Sequence, residues 1–404
     1  MRTSFYRILV AAAVALMLSG AAPSASATVE ESIKAILAVE NEGRGNRAAS
    51  AAWAELSKGT AGDLVKILEA MEGSGPLSAN WLRGAIGTIA DRELASGNAL
   101  PVAALGEFLL DTNQHPGARK LAFDLIAQVD RPTVDKLVPG MLMDPSPELR
   151  IEAVALLINE GRALAETDAN DAAAIVYRQA LQGARDVKQV ETITKALGDL
   201  GREVDLPRHF GFLMNWKVIG PFDNTDRGGF AKVFPPEEEV DYSKTYKGKT
   251  GDEVKWIDFV TADSFGKVDI NKAFGMEKEA TAYAATEFEA EFARPAELRL
   301  GTKNGWKIWL NGELIFARDE YHRGARMDMY KLPINLKEGK NRLLVKLCQN
   351  EQKETWTVQW EYQLRVCDAT GTALLSTNRQ PTPTVGTDLQ KPAGRRGGRD
   401  AGKN

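Results

Sequence analysis

At 404 residues the chain is long enough for two or three domains. A hydrophobic fraction of 44% and a charged fraction of 26% are those of ordinary globular protein. Lys+Arg 51 against Asp+Glu 55 leaves a net charge of −4, which excludes the strong basic field that nucleic-acid binding calls for.

Arg2 and Arg7 precede the apolar run Ile8–Leu18, and a small-residue stretch ends in Ala25-Ser26-Ala27. A basic region, a short apolar core and an A-x-A cleavage site in that order predict a signal peptide over residues 1–27. Thr28 is then the first mature residue. The apolar run is shorter than the about 20 residues of a transmembrane anchor, so no membrane span is expected after cleavage. No cysteine follows to carry a lipid. The expected location is periplasmic, cell-surface or extracellular.

Residues 28–206 carry a helical, Ala-rich pattern. Ser146-Pro147-Glu148 supplies an N-cap, a proline for the first helical position and an acid at the positive end of the dipole. In the helix that follows, Ile151, Val154, Ala155 and Ile158 share one face, and Leu149, Ala153 and Leu156 form a second apolar stripe. A helix apolar on two sides is expected between neighbours. Ala173, Val176, Tyr177, Ala180 and Leu181 repeat the helical spacing, with Val190, Ile193, Leu197 and Leu200 as a partner face. Turns at Gly73-Ser74-Gly75-Pro76, Asn113-Gln114-His115-Pro116 and Asp144-Pro145-Ser146-Pro147 recur every roughly 30 to 40 residues, the period of paired-helix repeats. At HPGARKLAFDLIAQV and DPSPELRIEAVALLI the chain resembles HEAT repeats, and around AAAIVYRQAL it resembles a tetratricopeptide helix pair. Such solenoids imply a protein partner held on the repeat surface, or a structural platform.

Near Phe210 the texture changes to short alternating segments, giving a domain over residues 207–376. Asn215–Phe222, Val254–Val260, Thr281–Phe292, Glu297–Leu300, Asn341–Cys348 and Trp356–Val366 read as strands. In the last, Trp356, Val358, Trp360, Tyr362, Leu364 and Val366 are expected on a buried face, with the alternate residues outside. In WKIWLNGELIF, Asn311-Gly312 fits a type I′ turn. Regular pairing across it sets Trp309 opposite Leu314 and Ile308 opposite Ile315. One face then holds Trp306, Ile308, Leu310, Ile315 and Ala317; the other holds Lys307, Trp309, Leu314 and Phe316. Both faces are apolar, so something beyond the sandwich core must meet the second. Trp306 is assigned to the core. Trp309 admits two readings, an interface under the helical array or an exposed binding face.

The run WKIWLNGELIFAR, a polar link and LPINLKEGKNRLLVKL resemble the galactose-binding-domain-like jelly rolls of secreted bacterial proteins, and WKVIGPF extends the likeness. The resemblance implies an antiparallel jelly-roll β-sandwich, usually non-catalytic and often carbohydrate-binding from loops at one end. The insertion 223–252 departs from the compact form. Overall the fold class is multidomain, an α-helical repeat domain followed by a jelly-roll sandwich.

Asp223, Asn224, Asp226 and Arg227, with Tyr321, His322 and Arg323, are candidates for a ligand rim, because rings stack on sugars while amides and guanidinium groups hydrogen-bond to them. Simple turn chemistry is the competing reading. The three histidines, His115, His209 and His322, lack metal-ligand spacing. Glu237-Glu238-Glu239 with Asp241 reads as a solvated acidic loop. No residue is assigned a catalytic or metal-binding role, and no cofactor is expected.

Cys348 and Cys367 are the two cysteines. A hairpin of Arg342–Cys348 with Trp356–Val366 would hold them roughly 33 Å apart, too far for a disulfide. Residues 377–404 are rich in Pro, Gly and Arg and are expected to be a disordered basic tail. The sequence thus describes an exported, non-enzymatic binding or scaffold protein. Carbohydrate binding by the jelly-roll loops is the alternative, and a polysaccharide-processing enzyme the third reading.

Overall fold

The computed structural model describes residues 28–383. The segment read as a signal peptide and the tail beyond residue 383 lie outside the described residues. The α-then-β order is observed: helices run from Val29 to Phe210, and antiparallel sheets follow from Asn215. The chain divides into two compact units between Leu156 and Leu157, inside the helix Pro147–Glu166. The helices Asn170–Gly183 and Val187–Asp199 therefore share a unit with the strands.

In the first unit consecutive helices pack in pairs, Val29–Leu37 with Asn46–Leu56 and Val102–Leu110 with Pro116–Val129. Thr28 closes a capping box with Glu31, His115 Nδ1 accepts from Ala118 N at 3.3 Å, and Ser146 Oγ accepts from Leu149 N at 3.4 Å. Each satisfies an orphan donor of a helix start. Arg119 is buried and its guanidinium meets both Asp144 oxygens at 2.7 Å while Nε donates to Leu109 O at 2.8 Å. Arg150, at the same offset from its own helix-starting proline, donates to Asp144 O. Arg119 thus ties its helix to the end of the helix before it and to the turn at Asp144, and Arg150 ties the next helix to that same turn. The two-sided stripe is only half observed: Leu149, Ala153, Val154 and Ile158 are buried, whereas Ile151 and Leu156 are exposed.

In the second unit the strands are β1 (Asn215–Asp223), β2 (Thr245–Lys247), β3 (Glu253–Lys255), β4 (Ile257–Val260), β5 (Lys267–Asp269), β6 (Ala280–Ala290), β7 (Arg294–Thr302), β8 (Gly305–Leu310), β9 (Glu313–Arg318), β10 (Tyr330–Leu336), β11 (Gly339–Gln349) and β12 (Glu361–Cys367). One antiparallel sheet has the order β4-β1-β6-β11-β8-β9, a second β10-β7-β12-β5, and β2 pairs with β3. Val218, Ile308, Val345 and Trp306 of the first sheet share a core with Leu298, Leu300, Tyr362 and Leu364 of the second, so the two form a sandwich. Phe212 bridges to Arg365, and Leu213 N donates to Leu364 O at 3.0 Å, tying the end of the helical segment onto β12.

Several expectations are corrected. β11 and β12 lie in different sheets, so Arg342–Cys348 and Trp356–Val366 form no hairpin. Both cysteines are nonetheless free and buried. Strand β12 starts only at Glu361. Residues Thr355–Thr357 form a 3-10 turn that leaves Trp356 56% exposed. Gln363, Arg365 and Cys367 on the supposed outer face are buried as well.

The Asn311-Gly312 turn has positive φ at both residues, 53° and 89°, as a type I′ turn requires. A bulge then shifts the register, pairing Ile308 with Phe316 rather than Ile315. An extra residue reverses the facing of everything beyond it. Phe316 accordingly packs on Trp306, ring centroids 5.2 Å apart, on the core side.

The outer face of the six-stranded sheet carries Ile219, Phe222, Tyr283, Leu344 and Trp309. It is covered by the chain's own insertion through Phe234, Val240 and Tyr242, and by Val254 and Trp256 just after it. Glu237 of that insertion is no solvated side chain: it is buried against Lys346. Residues 377–383, assigned by composition to the tail, are anchored. Thr377 N donates to Glu289 O at 2.9 Å, and Arg379 Nη1 donates to Phe212 O at 2.8 Å.

Candidate functional site

The rim residues come together at one end of the sandwich, around the end of β1, the loop after β9 and the loop after β11. Beneath them Asn224, Asn304, Gln349 and Asn350 are all buried. Asn224 Nδ2 donates to Gln349 O at 2.9 Å and to the Tyr321 hydroxyl at 3.3 Å, and Asn304 Nδ2 donates to Gln349 Oε1 at 3.3 Å. Polar side chains survive burial when paired in this way. The network holds loops from distant parts of the chain in one arrangement.

On this base Arg227 lies over the Tyr321 ring, 5.3 Å from its centroid, and grips Glu351 through Nε at 3.1 Å and Nη2 at 2.5 Å. The Arg227 guanidinium holds the Glu351 carboxyl down at about 2. His322 Nε2 donates to Asn350 Oδ1 at 2.6 Å, which leaves Nδ1 of the neutral ring as an acceptor. Burial, with the charges of Lys278 and Arg227, pushes the His322 ring below its usual range, while burial raises the Tyr321 hydroxyl. Asn224 Oδ1 and His322 Nδ1 are both buried acceptors with no hydrogen-bond partner among the described residues. An unmet buried acceptor costs about 1–3 kcal/mol, so each favours an O–H donor beside it.

Asp226, Arg227, Glu279 and His322 all adopt positive φ. Such backbone is costly for residues other than glycine, and it gathers where loops are held for a purpose. Asp223 caps its own turn, accepting from Thr225 N and Oγ1 at 3.2 and 2.6 Å, and the Thr225 hydroxyl keeps its carboxyl below the usual range. Arg323 is exposed and its ion-pair partner is Glu320 at 3.5 Å. For Asp223 and Arg323, turn chemistry and a surface ion pair account for the contacts seen.

Trp356 is the residue that sequence reasoning missed. Its 3-10 turn is pinned from below by buried Thr357, whose Oγ1 donates to Gln352 O and Glu354 O at 2.9 and 2.8 Å. Lys278 Nζ donates to Thr357 O at 2.8 Å. The indole and the His322 ring make a T-shaped pair, centroids 5.7 Å apart and planes at 90°. The signal in the sequence was the polar run Asn350–Thr355 just before it; the strand assignment began at Trp356 itself.

Trp309 is not part of this rim. A Cβ added at Gly305, at the other end of β8, would meet the Tyr321 ring at 3.0 Å. Trp309 lies four residues further along, about 13 Å at the usual rise. It is 7% exposed beneath a separate cleft of about 430 Å³ lined by insertion residues and the turns after β8 and β10. Among the described residues no group of His, Cys, Asp and Glu is arranged to hold a metal ion.

No protein-family model matches the chain, and no curated protein matches it. Solved structures that do match include the PA14 sugar-binding domain from an RTX adhesin, at 13% identity and TM-score 0.23, covering 38% of this chain and 89% of that one. They also include a β-glucosidase from Kluyveromyces marxianus, at 11% identity and TM-score 0.25, over 38% of this chain. This chain spans 16% of the glucosidase's length. An anti-sigma factor domain-containing protein matches at 12% identity and TM-score 0.22, over 40% of this chain and 48% of that chain. Likenesses of this size assign no activity.

Proposed function

We propose that the protein is an exported, non-enzymatic binding protein and that the loop end of its sandwich takes a saccharide. The observation that carries the reading is Trp356: a large indole 56% exposed, on a turn pinned by buried Thr357 and flanked by His322. Exposed rings held in place supply flat apolar area for the C–H face of a sugar at little entropic cost. Arg227 with Glu351 supplies charged hydrogen bonding at the edge. In the helical unit, Trp53 and Trp81 stand partly exposed with centroids 6.4 Å apart. Aromatic pairs of this kind are enriched at protein interfaces, which supports a protein partner for that unit.

The test is a glycan array probed with the purified protein and with Trp356→Ala, both checked for folding by circular dichroism. Saturable binding that the folded variant loses supports the reading. Absence of binding to any glycan, or equal binding by the variant, overturns it.

A further inference from the structure

The cleft above Trp309, about 430 Å³, is large enough for a small ligand and is walled by charges of both signs. Its acidic side chains include Glu238 from the insertion and Glu287 from β6; its basic ones are Lys337 from the turn between β10 and β11, with Lys340 and Arg342 from β11. Glu287 is 3.4 Å from Lys340 and 3.5 Å from Arg342, whereas Glu238 and Lys337 make no ion pair among the described residues. The cleft therefore offers an unpaired carboxylate and an unpaired ammonium beside an apolar lining of Pro236, Val240, Trp309 and Leu344.

Both walls are fixed from behind. Asn341, fully buried, accepts from Lys337 N at 3.0 Å and donates to Lys337 O at 2.7 Å, clamping the basic turn. Asn311 Oδ1 accepts from Arg342 N at 3.0 Å. On the acidic side the insertion is fastened by Glu237 to buried Lys346. The backbone that carries both walls is thus set before any ligand arrives.

A simple anion entering the cleft meets carboxylates, and a simple cation meets ammonium and guanidinium groups, so neither is matched to the whole of it. A ligand carrying both charges satisfies both walls. We propose that this cleft binds a zwitterionic small molecule bearing an ammonium and a carboxylate, a free amino acid or a short peptide. Its ammonium pairs with Glu238, its carboxylate with Lys337, and its apolar part meets the apolar lining of Pro236, Val240, Trp309 and Leu344. This site is independent of the loop rim.

Isothermal titration of the full chain with leucylglycine, its N-acetyl form, its C-terminal amide and free L-leucine tests this at low ionic strength. The expected result is saturable binding of an unblocked compound, weakened at least about tenfold by either block, since each removes one charge-assisted contact. Free leucine against leucylglycine distinguishes amino acid from peptide. Glu238→Gln and Lys337→Gln, both surface changes, weaken binding by a similar factor at unchanged melting temperature, and Trp356→Ala leaves it intact. No saturation up to about 10 mM of any unblocked compound, or equal binding of blocked and unblocked forms, overturns the proposal.

Discussion

Lys346 Nζ lies 2.7 Å from Glu237 Oε1, with the lysine side chain wholly enclosed and the glutamate side chain only 7% exposed. The ammonium also donates to Phe230 O at 3.1 Å and Lys232 O at 2.7 Å, and the Tyr283 hydroxyl donates to the same Glu237 oxygen. A buried charge needs every one of these partners. The ion pair fastens the insertion to the outer face of the sheet.

Removing one partner strands the other. Lys346→Met is expected to cost about 3–5 kcal/mol in chemical denaturation and to expose residues 228–256 to limited proteolysis. Lys346→Met with Glu237→Gln keeps an acceptor for Tyr283 and leaves no lone charge, so it is expected to recover much of that loss. A double variant no more stable than Lys346→Met would show that the pair is not the fastening.

Trp309 and Trp356 make an internal contrast. Trp309→Ala opens a cavity in the cluster under the insertion and is expected to cost about 3–5 kcal/mol. Trp356→Ala, on an exposed ring, is expected to change stability by no more than about 0.5 kcal/mol. Thermal melts of the two variants separate a structural tryptophan from a surface one.

His209 gives an acid sensitivity. Burial and the Arg185 charge push its imidazole down to about 4, and its Nε2 donates to Ala184 O at 3.1 Å. The unfolded ring binds its proton at the ordinary pKa of about 6.5, so below that pH the unfolded chain takes up a proton that the folded chain refuses. The contribution is complete above about 6.5 and is lost as pH falls through about 4, reaching about 3 kcal/mol at most. His209→Gln keeps a donor for Ala184 O and is expected to flatten this part of the stability profile. Parallel denaturation curves at pH 7, 5.5 and 4 for the two proteins check it.

In the helical unit Arg119 and Asp144 form a buried two-pronged ion pair. Arg119→Met leaves the Asp144 carboxylate unpaired, with an expected loss of about 3–5 kcal/mol. Arg119→Lys keeps the charge but not the fork, and should fall between wild type and Arg119→Met. The helical circular-dichroism signal on heating reads both.

Much of the rim was visible in the sequence because Asn224–Arg227 and Tyr321–His322 are polar and aromatic residues placed just outside strands, where loops gather. Trp356 was hidden by alternation: it sits two residues from Val358 and four from Trp360, a spacing that reads as one continuous strand. The buried turn at Thr357 interrupts that strand, and its partner Lys278 comes from a distant segment. Phe316 was misplaced for a related reason, since a bulge reverses facing without altering composition.

By itself the sequence determined the α-then-β order, the helix start at Ser146, and the turns at His115-Pro116 and Asn311-Gly312. All of these rest on hydrogen bonds and backbone preferences within a few residues. Tertiary structure alone decided that β11 and β12 lie in different sheets, that the insertion covers Trp309, and that Glu237 turns inward to Lys346. Those outcomes depend on which surfaces remain to be buried once the strands have paired, and residues more than a hundred positions apart settle that together.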